Sequence, residues 1–427
     1  MPQPFSGHLC HRNLESESSE MRVINIEQLK TILGNLPANP RIVASGNFAT
    51  PTVLLEVANS EIPEFRLNML GAQKGIPDRE GITFESSFVG PGMRRSPRLS
   101  YVPSRLSLVP ILFRDHYRPD VVFLHTSAQR HDTVSLGTEV NILPAAIEAC
   151  RERGGLVIAQ ANPNMPYTYG DAQIYEHEID FLVEVDEALM SKEPTPVGDI
   201  ASEIGARIAA KVENHSTLQL GIGAIPDAVL AALVNRKGMK IWTEMFSDGV
   251  LEMYKNGALD EDHPLTASFL FGSRELYDWL HLNKSVRMLR TEKTNDPGQI
   301  AKQAKMTSIN AALEVDLHDQ ANASFVRGEV YSGFGGSTDF IVGALHARGG
   351  QSFMALASWH EKAHKSTIVP FLNENVTSFQ HSYVATEYGL AACFGHPEKE
   401  QARNLIAIAH PDAREGLTGA AREMRLL

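Results

Sequence analysis

Short apolar runs ending in small or glycine residues, each handing over to a helix-like stretch, recur along this chain and constrain its fold more than any other feature. RIVASGNFATPTVLLEVANS reads strand, Gly/Asn turn, helix, with Pro51 where a first helical turn tolerates proline. VVFLHTSA at 121–128 is rich in Val and Phe and suits a buried parallel strand. NILPAAIEACRERGG at 141–155 reads as an amphipathic helix closing on paired glycines. LVIAQANPNMP at 156–166 reads as the next strand. Strand, helix and strand at this pace imply βαβ units and a parallel sheet.

The rhythm breaks at ALMSKEPTPVGD, 188–199, whose two prolines, glycine and charges read as a linker. It restarts with ASEIGARIAAKV as a helix, STLQLGIGAIPDAVLAALV as strand–turn–helix and MKIWTEMF as a strand. SVRMLR, SFVRGEVYSGFGG, SFMALAS and TSFQHSYVATEYG supply further β-like segments, and two helices close the chain. A length of 427 residues accommodates two domains, and 43% hydrophobic residues can bury their cores. The expected organisation is a disordered Ser/Glu-rich leader at 1–20, an α/β domain at 21–190 and a second at 200–427. The leader has no apolar h-region of a secretory signal.

Charge and cysteine narrow the partners. Thirty-nine basic against 51 acidic side chains give −12, which argues against nucleic acid or an anionic membrane surface as partner. A local basic site for a phosphorylated ligand remains compatible. No stretch approaches the ~18 apolar residues that span a bilayer. Cys10, Cys150 and Cys393 are too few and too scattered for a disulfide framework, and no C-x-x-C pair exists, so a reducing cytoplasm fits. The sixteen His residues show no zinc motif, and His360 and His364 fall in a polar, basic run that reads as a solvated turn. No metal site is expected. G-x-S-x-G and the P-loop pattern are absent.

Glycine turns carry the candidate chemistry. In LQLGIGAIPDAVL a strand runs into Gly221-Ile222-Gly223, and Ala224 and Pro226 open a helix whose N–H groups could face an anion. The third glycine of a dinucleotide fingerprint is Pro226 here, so the turn alone reads equally as a tight turn without ligand. Glu244 follows the strand MKIW, at the sheet edge where ligands bind in open α/β folds. It could be a nucleophile, a base, a metal ligand or a plain surface carboxylate. Gly335 and Gly336 follow a strand and precede a helix-like run, so their N–H groups could serve an oxyanion, or they could close a hairpin. Asn295 precedes Asp296-Pro297, a turn signal, and Glu387 precedes Tyr388-Gly389.

Taken in order, LQLGIGAIPDAVL, TEMFSDGVLEMYKNG, TNDP with SINAALEVDL, SGFGGSTDF, VATEYGLA and LIAIAHPDAREGL resemble the acetyl-CoA hydrolase/transferase family. These class I CoA-transferases include 4-hydroxybutyrate, butyryl- and succinyl-CoA:acetate transferases. The resemblance covers nearly the whole chain after Met21, through SGNFATP, YVPSRLS, SLGTEV and NPNMPYTYGD in the first half. It implies two open, mostly parallel α/β domains with the active site in the cleft between them. It implies Glu244 as nucleophile, passing through an acyl-glutamyl anhydride and a glutamyl-CoA thioester. Asn295 matches the carboxamide beside that glutamate, and Glu387 a second acidic residue holding the Asn. Gly221, Gly223, Ala224, Gly335 and Gly336 fall on the oxyanion and CoA-binding turns. Lys365, with Lys362, lies near a CoA-contacting segment.

The resemblance further implies coenzyme A as substrate with no tightly bound cofactor, a short-chain carboxylate as second substrate, and a cytoplasmic homodimer. The expected activity moves CoA between a short-chain acyl-CoA, such as 4-hydroxybutyryl- or butyryl-CoA, and acetate. A hydrolase using the same glutamate is the alternative, and a non-catalytic CoA-binding protein a third. Three departures concern CoA contacts and acyl preference: the family's Gly-Gly-Gln is Gly336-Ser337-Thr338 here, its Ser-Arg-Ile-Val-Pro is Ser366-Thr367-Ile368-Val369-Pro370, and its acidic, His- and Gly-bearing loop after the 121–127 strand reads AQRHDTVSLG.

Overall fold

The computed structural model describes residues 21–427 except 222, 375 and 377–380. The leader, with Cys10, lies outside the described residues. Two sheets dominate. The first is eight-stranded and wholly parallel, with Val121–Ser127 at its centre between Leu156–Asn162 and Arg41–Ala44. Every residue of Val121–Ser127 is buried, as a strand covered on both faces requires. Helices Thr52–Glu61 and Leu143–Glu152 are the crossovers that the glycine turns announced.

The second sheet is six-stranded, in the order Lys240–Ile241, Thr217–Leu220, Met306–Ala311, Gln351–Ala355, Tyr383–Thr386, Gly389–Ala392. Its pairs are parallel until the closing hairpin of the last two strands. Both sheets are α/β layers, as the sequence implies. Residues 185–198 carry no regular structure, and helix Asp199–Ala209 starts the second layer.

The two sheets are tied together rather than merely tethered. A small third sheet pairs Tyr169–Gly170 with Val286–Met288, which in turn pairs with Leu265–Ala267. One hydrophobic core includes Val122 and Val157 of the first sheet and Leu218 and Phe353 of the second. Burial on this scale, at about 25 cal/mol per Å² of apolar surface, is what fixes the cleft between the layers. Among the described residues no helix is long and apolar enough to cross a membrane, and no cluster of three potential metal ligands occurs.

Candidate active site

Glu244 lies between the short strands Lys240–Ile241 and Met245–Phe246. Its carbonyl accepts N–H bonds from Ser268 and Phe269, at 2.8 and 2.9 Å, which pins the residue against a neighbouring strand. Its side chain faces a cavity of about 530 Å³, also lined by Gly221, Gly335, Gly336 and Asn310. Surrounding protein strips water from the carboxylate and pushes its pKa up to about 7, against the donation from Asn295.

Asn295 is fully buried at the end of helix Thr291–Thr294. Its Nδ2 donates to Glu244 Oε2 at 2.9 Å, and its Oδ1 accepts from Thr294 Oγ1 at 2.8 Å. The amide is therefore oriented from both ends. Thus the turn signal at Asn295-Asp296-Pro297 also places a carboxamide on the glutamate, and Asp296 caps the following helix by accepting from Gln299 N–H.

Gly336 closes the other side. It caps helix Ser337–His346, and a Cβ there would lie 2.0 Å from Glu244 Oε2 and 2.2 Å from Asn295 Nδ2. Its φ is −105°, so any residue could adopt the backbone, and only the close approach excludes a side chain. Gly335, at φ +59°, needs the left-handed region instead. The first turn of that helix offers the unpaired N–H groups of a helix start beside the carboxylate.

Two of the predicted turn positions, Gly223 and Ala224, lie elsewhere. Gly221 and Gly223 do not share a cavity: Gly221 lines the Glu244 cavity, while Gly223, at φ +119°, turns the chain to line a neighbouring one of about 550 Å³. Ala224 is exposed on the first turn of the helix beyond. Phe48, stacked on Phe271 with ring centroids 3.5 Å apart, and Met245 belong to both cavity walls.

Glu387 does not hold Asn295. It sits at the turn between Tyr383–Thr386 and Gly389–Ala392, where its carboxylate accepts from the Ser358 N–H at 2.9 Å and from the Ser358 hydroxyl. The hairpin turn sets it against Ser358, just past the end of the adjacent strand Gln351–Ala355. A nearer acidic neighbour of the site is Asp339, on the first turn of the Gly336-capped helix, whose charge adds to the upward push on Glu244. Asp339 accepts from Ser107 N–H and Oγ, and burial raises it to about 6. Lys365 does not line the Glu244 cavity. Pairing of Val315 with Ile368 sets it beside Glu314, and the two form an ion pair of 2.5 Å outside the cavity wall.

The first half supplies groups that sequence reasoning missed. Glu139 is buried, and its carboxylate accepts from Asn47 Nδ2 at 3.0 Å and Asn141 Nδ2 at 2.9 Å. Burial pushes it to about 7, and the Glu244 charge adds to that. Residue 139 bridges to Phe269, the same residue whose N–H binds Glu244 O, so the two glutamates flank one strand. The only sequence signals were the carboxylate in SLGTEV and the asparagine in SGNFATP, neither diagnostic alone.

Two parallel α/β layers bringing a desolvated carboxylate, a carboxamide and a glycine-capped helix start to one cleft define the CoA-transferase class. Residues 272–421 match the acetyl-CoA hydrolase/transferase C-terminal domain. The chain belongs to the acetyl-CoA hydrolase/transferase family. It is 37% identical over 370 residues to 4-hydroxybutyrate coenzyme A transferase of Clostridium kluyveri, covering 82% of this chain and 85% of that one. It is 34% identical over 414 residues to succinyl-CoA:acetate/propanoyl-CoA:succinate CoA transferase of Fasciola hepatica, covering 91% and 86%. The crystal structure of 4-hydroxybutyrate CoA-transferase from Porphyromonas gingivalis superposes with a TM-score of 0.80 at 30% identity, covering 94% of this chain and 98% of that one.

Proposed function

We propose that the chain is an acyl-CoA:carboxylate CoA-transferase with Glu244 as its nucleophile, moving CoA between a short-chain acyl-CoA and acetate. The observation that carries this is a half-buried carboxylate facing a cavity, with one oxygen accepting from Asn295 Nδ2 and lying so close to Gly336 that no side chain fits there. A carboxylate attacks a thioester poorly in water, and removing water while fixing its angle raises its reactivity.

In this reading Glu244 attacks the thioester carbonyl, and the bond to sulfur breaks to give an acyl-glutamyl anhydride and CoA thiolate. The thiolate attacks the glutamyl carbonyl and expels the first carboxylate, leaving a glutamyl-CoA thioester. Acetate then runs the two steps in reverse. Asn295 orients the carboxylate, and Thr294 orients Asn295. The N–H groups that would serve the developing oxyanion are those at the start of the Gly336-capped helix, since the Gly221 N–H is given to Ile309 O. Carboxylate and thioester chemistry suffice for each step, so the reading includes no metal and no tightly bound cofactor. The same reading carries a cytoplasmic homodimer, checked by light scattering of the purified chain and by cell fractionation.

The test mixes purified protein with butyryl-CoA, with and without acetate, and follows acetyl-CoA and free CoA by chromatography. Acetyl-CoA formed only with acetate, and little free CoA, is expected. Free CoA accumulating regardless of acetate would replace transfer by hydrolysis through the same glutamate.

A further inference from the structure

Glu139 stands one side-chain layer behind the wall of the Glu244 cavity. Its two amide partners, Asn47 and Asn141, and its bridge partner, Phe269, all line that cavity. The segment 268–270 separates the two glutamates: it exchanges backbone bonds with Thr138, Val140 and Asn141 on one edge and donates two N–H groups to Glu244 O on the other. The charge of Glu244 adds to the upward push on the Glu139 pKa, so the carboxylates feel each other across this segment.

The amides are fixed by what they face. Asn47 and Asn141 both hold the left-handed backbone region, at φ +44° and +31°, a conformation asparagine tolerates better than most residues. From there both turn Nδ2 onto Glu139. An ionised carboxylate only accepts, so each amide must give it the nitrogen end. Asn47 Oδ1 is therefore at the far end of its amide from Glu139. It lies against Gly71, another wall residue, where a Cβ would be 2.2 Å from that oxygen.

The charge behind this wall has no counter-ion. Glu139 is buried, and its partners among the described residues are neutral amides. Among the described lining residues only Glu244 and Arg94 are charged, and Arg94 stands where the cavity meets a neighbouring one, with its Nε given to the Tyr331 carbonyl. Phe48, Leu220, Met245 and Phe269 supply apolar wall for an alkyl chain. A second anionic group brought beside Asn47 and Asn141 would meet a buried like charge, and such a juxtaposition selects against one partner without improving the fit of another.

We propose that Glu139 is a specificity-determining residue, which through the two amides it holds admits uncharged short acyl groups to Glu244 and turns away acyl groups ending in a second carboxylate. The proposal rests on the CoA-transferase reading and names its acyl class, a choice that membership of a family with butyryl- and succinyl-CoA enzymes leaves open.

The test measures kcat/KM for butyryl-CoA and succinyl-CoA, with acetate as common acceptor, in wild type and Glu139→Gln. It is run at pH 8, above the value of about 7 to which burial pushes both glutamates. Wild type should favour butyryl-CoA by about 10²-fold or more, and Glu139→Gln should narrow that ratio at least roughly tenfold. Glutamine keeps the shape and still accepts from an amide, and circular dichroism checks the fold. Glu139→Ser, which lets water reach both amides, is the second removal of the charge, with the same narrowing expected. A merely structural role would lower both substrates together and leave the ratio unmoved. A wild type without preference for butyryl-CoA, or a folded variant with the wild-type ratio, overturns the proposal. If wild type turns over neither thioester, the transferase reading fails, and calorimetric binding of the two thioesters decides this one. Tighter binding of butyryl-CoA that is lost in the variants sustains it, and equal binding overturns it.

Discussion

Gly336 stands so close to Glu244 that a methyl group on its α-carbon would lie 2.0 Å from Oε2. Its φ of −105° is open to any residue, so Gly336→Ala isolates a steric effect. Glu244 should swing aside and its bond to Asn295 should break. Turnover should drop by about 10²-fold or more, since displacement of a reacting group by an ångström has that effect. The melting temperature should move by only a few degrees. Unchanged turnover would show that the carboxylate need not sit where it does.

Removing the nucleophile should cost far more. Glu244→Gln keeps the shape and can still accept from Asn295, so the fold is retained. Turnover should fall on the order of 10³-fold or more. Mass spectrometry of wild-type protein incubated with butyryl-CoA should find CoA esterified to the peptide bearing Glu244, and none in the variant. A variant as active as wild type would remove Glu244 from the mechanism.

The two acidic candidates behind the site separate cleanly. Asp339 lies close enough to the site for its charge to act on Glu244, whereas Glu387 binds Ser358. Asp339→Ala should lower kcat by roughly 10²-fold, because it frees Ser107 and loosens the start of the Gly336-capped helix beside Glu244. Glu387→Ala should act mainly on stability, leaving an unpaired Ser358 N–H at a cost of about 1–3 kcal/mol. Steady-state kinetics beside urea denaturation decide it, and the opposite ranking would restore Glu387 as the positioning residue.

A pH dependence follows from the raised Glu244 pKa of about 7. Only the carboxylate attacks, so kcat/KM for acyl-CoA should rise with pH through about 7 and level above it. Stability should run the other way. Between the ordinary value of 4.5 and about 7, folded Glu244 holds a proton that the unfolded chain releases. Its contribution to stability is therefore full below 4.5 and lost as pH rises through 7, by roughly 3 kcal/mol. Glu244→Gln should lack that loss, so its stability relative to wild type should grow from pH 5 to pH 8. A difference independent of pH would mean that Glu244 titrates normally.

Much of this architecture was legible in the sequence because parallel strands and their glycine turns are local signals. The buried run 121–127 and helix 143–152 carry their period within a dozen residues. Glu244 and Gly336 were legible through ordered motifs. The bond of Glu244 with Asn295 joins positions 51 residues apart in the chain, and only the folded arrangement creates it. Glu139 and Asn47, 92 residues apart, gave no usable signal, since each sits in an unremarkable strand-end sequence and the pairing depends on register. Glu387 misled for the same reason: a motif fixes residue type, whereas a hairpin turn fixes direction.

The glycine loop of the second half is stitched to the first: Val89 donates to Ser332 O, Leu106 to Gly335 O, and Arg94 to Tyr331 O. Such stitching makes the two halves co-inherited parts. A half borrowed from a distant relative would bring its own loop but not the edge that holds it. Recombination across 185–198 should therefore give folded but idle chimaeras, and this catalyst should diversify by point change rather than by exchange of modules.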